Sequence, residues 1–152
     1  MSIEVFISYD SVDEKYAENI SRMLAELGIK YFKNTIRLGQ RWIDEVNGAL
    51  SRSTEFIVIV SPASLVSGWV NYEVGYADAL GKTILSFLTH PSFELPEYLS
   101  TRQHTHSIDE LKEYFADKLR EMPVSATREP QKEIPVDTGD QYFTDVDRKS
   151  VV

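Results

Sequence analysis

FIVIV, residues 56–60, is an unbroken run of β-branched and aromatic residues that stops at Ser61-Pro62. A strand with one wet face alternates apolar and polar residues, so a strand with no polar position is expected to be covered on both faces, as in a parallel sheet flanked by helices. The segments on either side keep to that plan. Upstream, Ile3–Tyr9 (IEVFISY) is a second short apolar strand. Ser11-Val12-Asp13-Glu14 then matches a capping box opening a helix whose apolar face is Tyr16, Ile20, Met23, Leu24 and Leu27 and whose stop is Gly28. Ile29–Phe32 makes another strand, Asn34–Arg41 a polar loop, and Trp42, Ile43, Val46 and Leu50 the stripe of the next helix. Downstream, one helix carries Trp69 and Glu73 and closes at Gly81, followed by a fourth strand at Thr83–Leu88. His90–Leu99 is expected to be irregular and Gln103–His106 a short edge strand, and Ser107-Ile108-Asp109-Glu110 is expected to be a second capping box, opening a last helix through Leu119.

Five strands alternating with helices predict an α/β domain: a flavodoxin-like open parallel five-stranded sheet in the order 2-1-3-4-5, with helices on both faces. In that order ligands sit at the carboxyl ends of the first and third strands, which brings Tyr9-Asp10-Ser11 and Ser61-Pro62-Ala63-Ser64 to a common crevice. The domain is expected over residues 1–122. Residues 123–152 lose the apolar spacing, hold three of the six prolines and are rich in Asp, Thr and basic residues, so they are expected to be a polar tail or linker. Tyr142 and Phe143 would be its docking point.

Composition narrows the function classes. Hydrophobic residues make up 42% of the chain and no long apolar stretch interrupts it, which predicts a soluble protein with no membrane partner. MSIEVFISYD enters a strand without a basic leader, and there are no cysteines, so a cytoplasmic location is expected and disulfides and thiolate metal sites are excluded. His90, His104 and His106 lack a metal-ligand pattern, and no metal is expected. Sixteen Lys and Arg against 24 Asp and Glu give a net charge of −8, which opposes nucleic-acid binding. The one basic concentration, Lys30, Lys33, Arg37 and Arg41, suits either a diphosphate or a solvated loop.

In SGWVNYEVGYADALGKTILSFL, residues 67–88, helical spacing groups Trp69, Tyr72, Glu73 and Tyr76 on one face and Val70, Val74 and Ala77 on another. Glu73 is therefore expected to point away from the core. A carboxylate among aromatics suits stabilisation of a cation forming on a sugar ring, because it can hydrogen-bond ribose hydroxyls and offset oxocarbenium charge. From the residues alone, a solvated surface glutamate is the favoured reading.

FISYDSVD, YFKNTIRLGQRW and FIVIVSPASLVSGWVNYE, in that order, resemble the three signature boxes of the Toll/interleukin-1 receptor (TIR) domain family, over about Ile3 to Arg120. The family includes signalling adaptors and enzymes that cleave NAD⁺ at the nicotinamide–ribose bond, and the glutamate of their W-x-x-x-E pattern falls here on Glu73, with Trp69 as its partner. EVGYADALGKTIL also resembles nucleoside 2-deoxyribosyltransferases, in which a glutamate at this place attacks the anomeric carbon. Lys33 stands where many TIR domains have an acidic residue, and Leu38 where many have a proline.

The resemblance implies an NAD⁺ glycohydrolase or ADP-ribosyl cyclase acting in bacterial antiphage signalling, with NAD⁺ as substrate and no cofactor. Glu73 would be catalytic, with the nicotinamide against Trp69 or Phe32, the diphosphate near Arg37 or Arg41, and Tyr9, Asp10 and Ser11 on the ribose or adenine. Asn34–Arg41 would be a gating loop, and copies of the domain would assemble into oligomers or filaments. The alternatives are a TIR–TIR interaction module without turnover and, third, a deoxyribosyltransferase-like enzyme.

Overall fold

Alternate residues of each strand feed two separate cores. Phe6, Phe56, Val58, Val60, Ile84 and Leu88 point to one side of the sheet, and Val5, Ile7, Ile57, Ile59, Leu85 and Phe87 to the other. The computed structural model describes residues 2–33 and 43–122. It has five strands, β1 (Glu4–Ser8), β2 (Lys30–Lys33), β3 (Glu55–Val60), β4 (Thr83–Leu88) and β5 (Gln103–Thr105). All pair in parallel in the order β2-β1-β3-β4-β5. This is the expected flavodoxin-like sheet.

Among the described residues six α-helices accompany the sheet: α1 (Glu14–Glu26), α2 (Ile43–Arg52), α3 (Pro62–Leu65), α4 (Gly68–Ala79), α5 (Glu97–Ser100) and α6 (Ile108–Glu121). Ala17, Ile20, Met23 and Leu24 of α1, with Leu111 and Phe115 of α6, cover one face. Val46, Ala49 and Leu50 of α2, Val70, Val74 and Ala77 of α4, and Leu99 of α5 cover the other. Covering both faces is why β3 is buried at every position. Gly28 and Gly81 end α1 and α4 at φ of 75° and 73°, where a side chain would strain the backbone.

Local structure departs from expectation at three places. Ser11–Asp13 is a 3₁₀ turn capped by Asp10, whose carboxylate accepts from the Val12 amide at 3.1 Å, so Ser11 does not open α1 with a capping box. Asp13 is drawn inward instead, because the Ser61 hydroxyl donates to its Oδ2 at 2.5 Å. The single helix expected after Ser61 is two. Ser61 and Ser64 form a capping box around Pro62–Leu65, and Ser67 restarts the helix by accepting from the Val70 amide at 3.2 Å. Within the segment expected to be irregular, Glu97–Ser100 forms one turn that buries Leu99.

Of the capping box expected at Ser107 only half forms: Ser107 accepts from the Glu110 amide at 3.2 Å, but the Glu110 carboxylate accepts from the Thr105 hydroxyl, and the Ser107 amide donates to Thr105. Among the described residues no helix is long and apolar enough to cross a membrane. Trp42, the Asn34–Arg41 segment and the 123–152 tail lie outside the described residues.

Candidate active site

Glu73 is 1% exposed, against the expectation that it faces away from the core. The reason is angular. At 3.6 residues per turn Glu73 lies about 40° from Trp69 and about 40° from Ala77, on the seam between the aromatic and aliphatic faces of α4. Val70, Glu73, Val74 and Ala77 are the residues α4 buries against the sheet. There the hydroxyl of Ser8, the last residue of β1, donates to Glu73 Oε1 at 2.5 Å. Ser8 is 0% exposed. Strand alternation places it on the same face as Phe6 and opposite Val58 of β3.

The aromatic edge of α4 runs beside this pair. The rings of Trp69 and Tyr72 stack with centroids 5.1 Å apart, and Tyr72 meets Tyr76 edge-on at 5.9 Å. Trp69 and Tyr76 pack partly onto the core. Tyr72 is 38% exposed, and its hydroxyl donates to Asn47 Oδ1 of α2 at 2.8 Å, tying the two helices together.

The other sequence-predicted residues have separate tasks. Tyr9 points to the α1 side, one residue and one face away from Ser8, and its hydroxyl donates to Glu14 Oε1 at 2.9 Å. Lys33 donates to the other oxygen of Glu14 at 3.0 Å, so one carboxylate joins the end of β2 to the segment following β1. Asp10 caps the 3₁₀ turn and Ser11 is exposed beside it. Phe32 is buried in the core, with its ring 5.3 Å from that of Phe6. Arg37 and Arg41 lie outside the described residues. The structure thus brings Glu73 together with Ser8, one helical turn from Trp69, and separates that pair from the side chain of Tyr9.

Ser8 was not among the expected site residues, nor was the Asp13–Ser61 pair between the ends of β1 and β3. Burial pushes the Asp13 carboxyl above the ordinary carboxylate range; the bond from Ser61 opposes that rise and the Asp10 charge adds to it. The signal for Ser8 was a polar residue at an inward position of an otherwise apolar strand. Its partner was not readable, because it arrives from a helix 65 residues away in the chain.

The model of a TIR domain family matches residues 5–122. The chain belongs to the TIR domain family. NAD(+) hydrolase TirS of Staphylococcus aureus (strain MSSA476) is 29% identical to this TIR domain over 114 residues, covering 73% of this chain and 37% of TirS. The chain thus spans little more than a third of that relative's length. Among solved structures, the TIR domain of the Toll-related receptor TRR-2 from Hydra magnipapillata superposes with a TM-score of 0.60 at 23% identity, over 76% of this chain and 94% of that one. The 2-deoxyribosyltransferase of Bacillus psychrosaccharolyticus gives 0.61 at 10% identity, over 72% and 90%. At these identities the two structures establish a shared fold.

Proposed function

We propose that this TIR domain cleaves NAD⁺ at the nicotinamide–ribose bond, with Glu73 as the catalytic residue. The observation that carries the proposal is the buried Glu73 carboxylate, held by Ser8 one helical turn from Trp69, in a chain similar to an NAD(+) hydrolase. NAD⁺ arrives with its nicotinamide already cationic. When the C–N bond breaks, the electron pair goes to the ring and nicotinamide leaves neutral, so no general acid is needed. The ribose is left as an oxocarbenium ion, whose charge a carboxylate shielded from water offsets more strongly than one in bulk solvent. Water then adds to the anomeric carbon and sheds a proton, giving ADP-ribose; attack from within the molecule gives a cyclic ADP-ribose instead.

Because Glu73 is covered in this conformation, ribose reaches it only after neighbouring groups move. Assembly of TIR domains into head-to-tail oligomers is the event we propose to supply that movement, in a cytoplasmic bacterial antiphage response. The exposed aromatic edge at Tyr72 also fits the second proposal, an interaction module without turnover. Incubating the purified chain with NAD⁺ over a hundredfold range of protein concentration, with chromatography of nicotinamide, separates the two. Release of nicotinamide at a specific activity that rises with concentration is expected. Complete recovery of NAD⁺ at every concentration overturns the enzyme proposal in favour of the module.

A further inference from the structure

We infer that Ser8 is a positioning residue of the site: its hydroxyl fixes the orientation of the Glu73 carboxylate. The inference rests on the NAD⁺ proposal and names the group that makes Glu73 effective. Ser8 is an unexpected residue where it stands. Its neighbours on this face of the sheet are Phe6 and Val58, and a hydroxyl buried among them is costly unless it is bonded. Its bond to Glu73, at 2.5 Å, answers that cost.

The two partners differ in freedom. Ser8 sits in a strand paired to β3 at its own position, and the preceding Ile7 is paired to both β2 and β3, so the sheet fixes its Cβ. Glu73 has two carbons between Cβ and its oxygens and owes its orientation to what holds its end. The rigid partner therefore sets the flexible one.

The second serine–carboxylate pair of the molecule makes the contrast. Ser61 also donates to a carboxylate at 2.5 Å, but it caps α3 at the same time by accepting from the Ser64 amide at 3.1 Å, which gives it a local structural task. Ser8 ends a strand and caps no helix.

The test is steady-state NAD⁺ cleavage by wild type, Ser8→Ala and Ser8→Cys, with Tm recorded for each, at a protein concentration where wild type turns over. Ser8→Ala is expected to lower kcat by about tenfold to a hundredfold, the cost of losing the group that orients a catalytic one, with KM within about twofold. Ser8→Cys keeps the shape and a weak donor, and its kcat is expected to lie between the two. Wild-type kcat in folded Ser8→Ala overturns the inference and leaves the NAD⁺ proposal standing, as does a loss confined to KM or matched by the fall in Tm. If Ser8→Ala does not fold, Ser8→Cys decides by the same criteria. No nicotinamide release from wild type under any condition overturns the NAD⁺ proposal, and this inference with it.

Discussion

Of the three buried glutamates among the described residues, Glu55 and Glu73 sit on opposite faces and at opposite ends of the sheet, and they are held in different ways. Glu55 opens β3 on the α1–α6 face, is 3% exposed, and pairs with Lys118 of α6 at 3.3 Å while accepting from the Thr54 hydroxyl at 2.7 Å. Glu73 lies about three residues, or roughly 10 Å, further along the strands on the α2–α4 face and is held by the Ser8 hydroxyl. A lysine meets Glu55 with an opposite charge, whereas a serine hydroxyl fixes one oxygen of Glu73. The Glu55 cluster lies at the amino end of the sheet, where α/β folds seldom place chemistry, and the Ser8–Glu73 pair lies near the carboxyl end, where they usually do.

The largest effect that sharpens this comparison is on rate. Glu73→Gln keeps the shape and removes the charge, and it is expected to lower kcat for NAD⁺ by about a hundredfold or more. Its Tm should equal or exceed that of wild type, because a buried amide is less costly than a buried anion. Near-wild-type turnover in the folded variant would break the comparison at its functional end.

Lys118→Met should do the reverse. It leaves Glu55 buried without its cation, and urea unfolding is expected to show a loss of about 1–3 kcal/mol, the range for a stranded buried acceptor. NAD⁺ turnover by the folded fraction should be unchanged. A drop in kcat at full stability would mean that the two ends of the sheet are not independent.

A smaller difference is expected in alkali. The hydrogen bond and charge of Glu55 hold the Lys118 ammonium above its ordinary range. Burial, then the Glu55 charge, pushes the Tyr114 hydroxyl up as well. In both cases the folded state holds its proton to higher pH than the unfolded state, so their contribution is full below the ordinary values of 10.5 and 10.0 and is lost as pH rises through the folded ones. Glu55→Gln should flatten the fall in Tm above about pH 10. An unchanged alkaline limb would remove Glu55 from its cause.

The smallest effect concerns Asp13. Its raised pKa means that the folded state binds the proton more tightly than the unfolded state, so stability declines as pH rises from the ordinary 3.8 through the folded value. Asp13→Asn should abolish that slope. A steeper slope in the variant would show that the Ser61 bond outweighs burial there.

Much of the fold was legible because it depends on patterns within short segments. The apolar run Phe56–Val60 carried two-sided burial, and the alternation of strands and helices carried the parallel sheet and its order. Gly28 and Gly81 marked helix ends through a conformation that other residues adopt at a cost. The capping box at Ser11 misled, because Asp10 caps the turn and the Glu14 carboxylate that the box needs is taken by the Tyr9 hydroxyl and by Lys33, 19 residues away. The helix after Ser61 was expected to be continuous for a similar reason, since Ser61 and Ser67 each served as a cap and the spacing of apolar residues does not register caps.

The candidate site divides along the same line. Sequence by itself placed Trp69 and Glu73 one turn apart on one helix, because spacing along a helix sets angular position, and it was the resemblance to the TIR signature boxes that pointed to Glu73 as the residue to test. Tertiary structure alone decided that Glu73 is buried, since a residue on the seam of two faces is covered or exposed according to what packs against the helix. It also decided that Ser8, and not its neighbour Tyr9, meets that carboxylate. Alternation along β1 sends those two side chains to opposite faces, but only the packing of α4 against one of them determines which serine, and which glutamate, come within 2.5 Å.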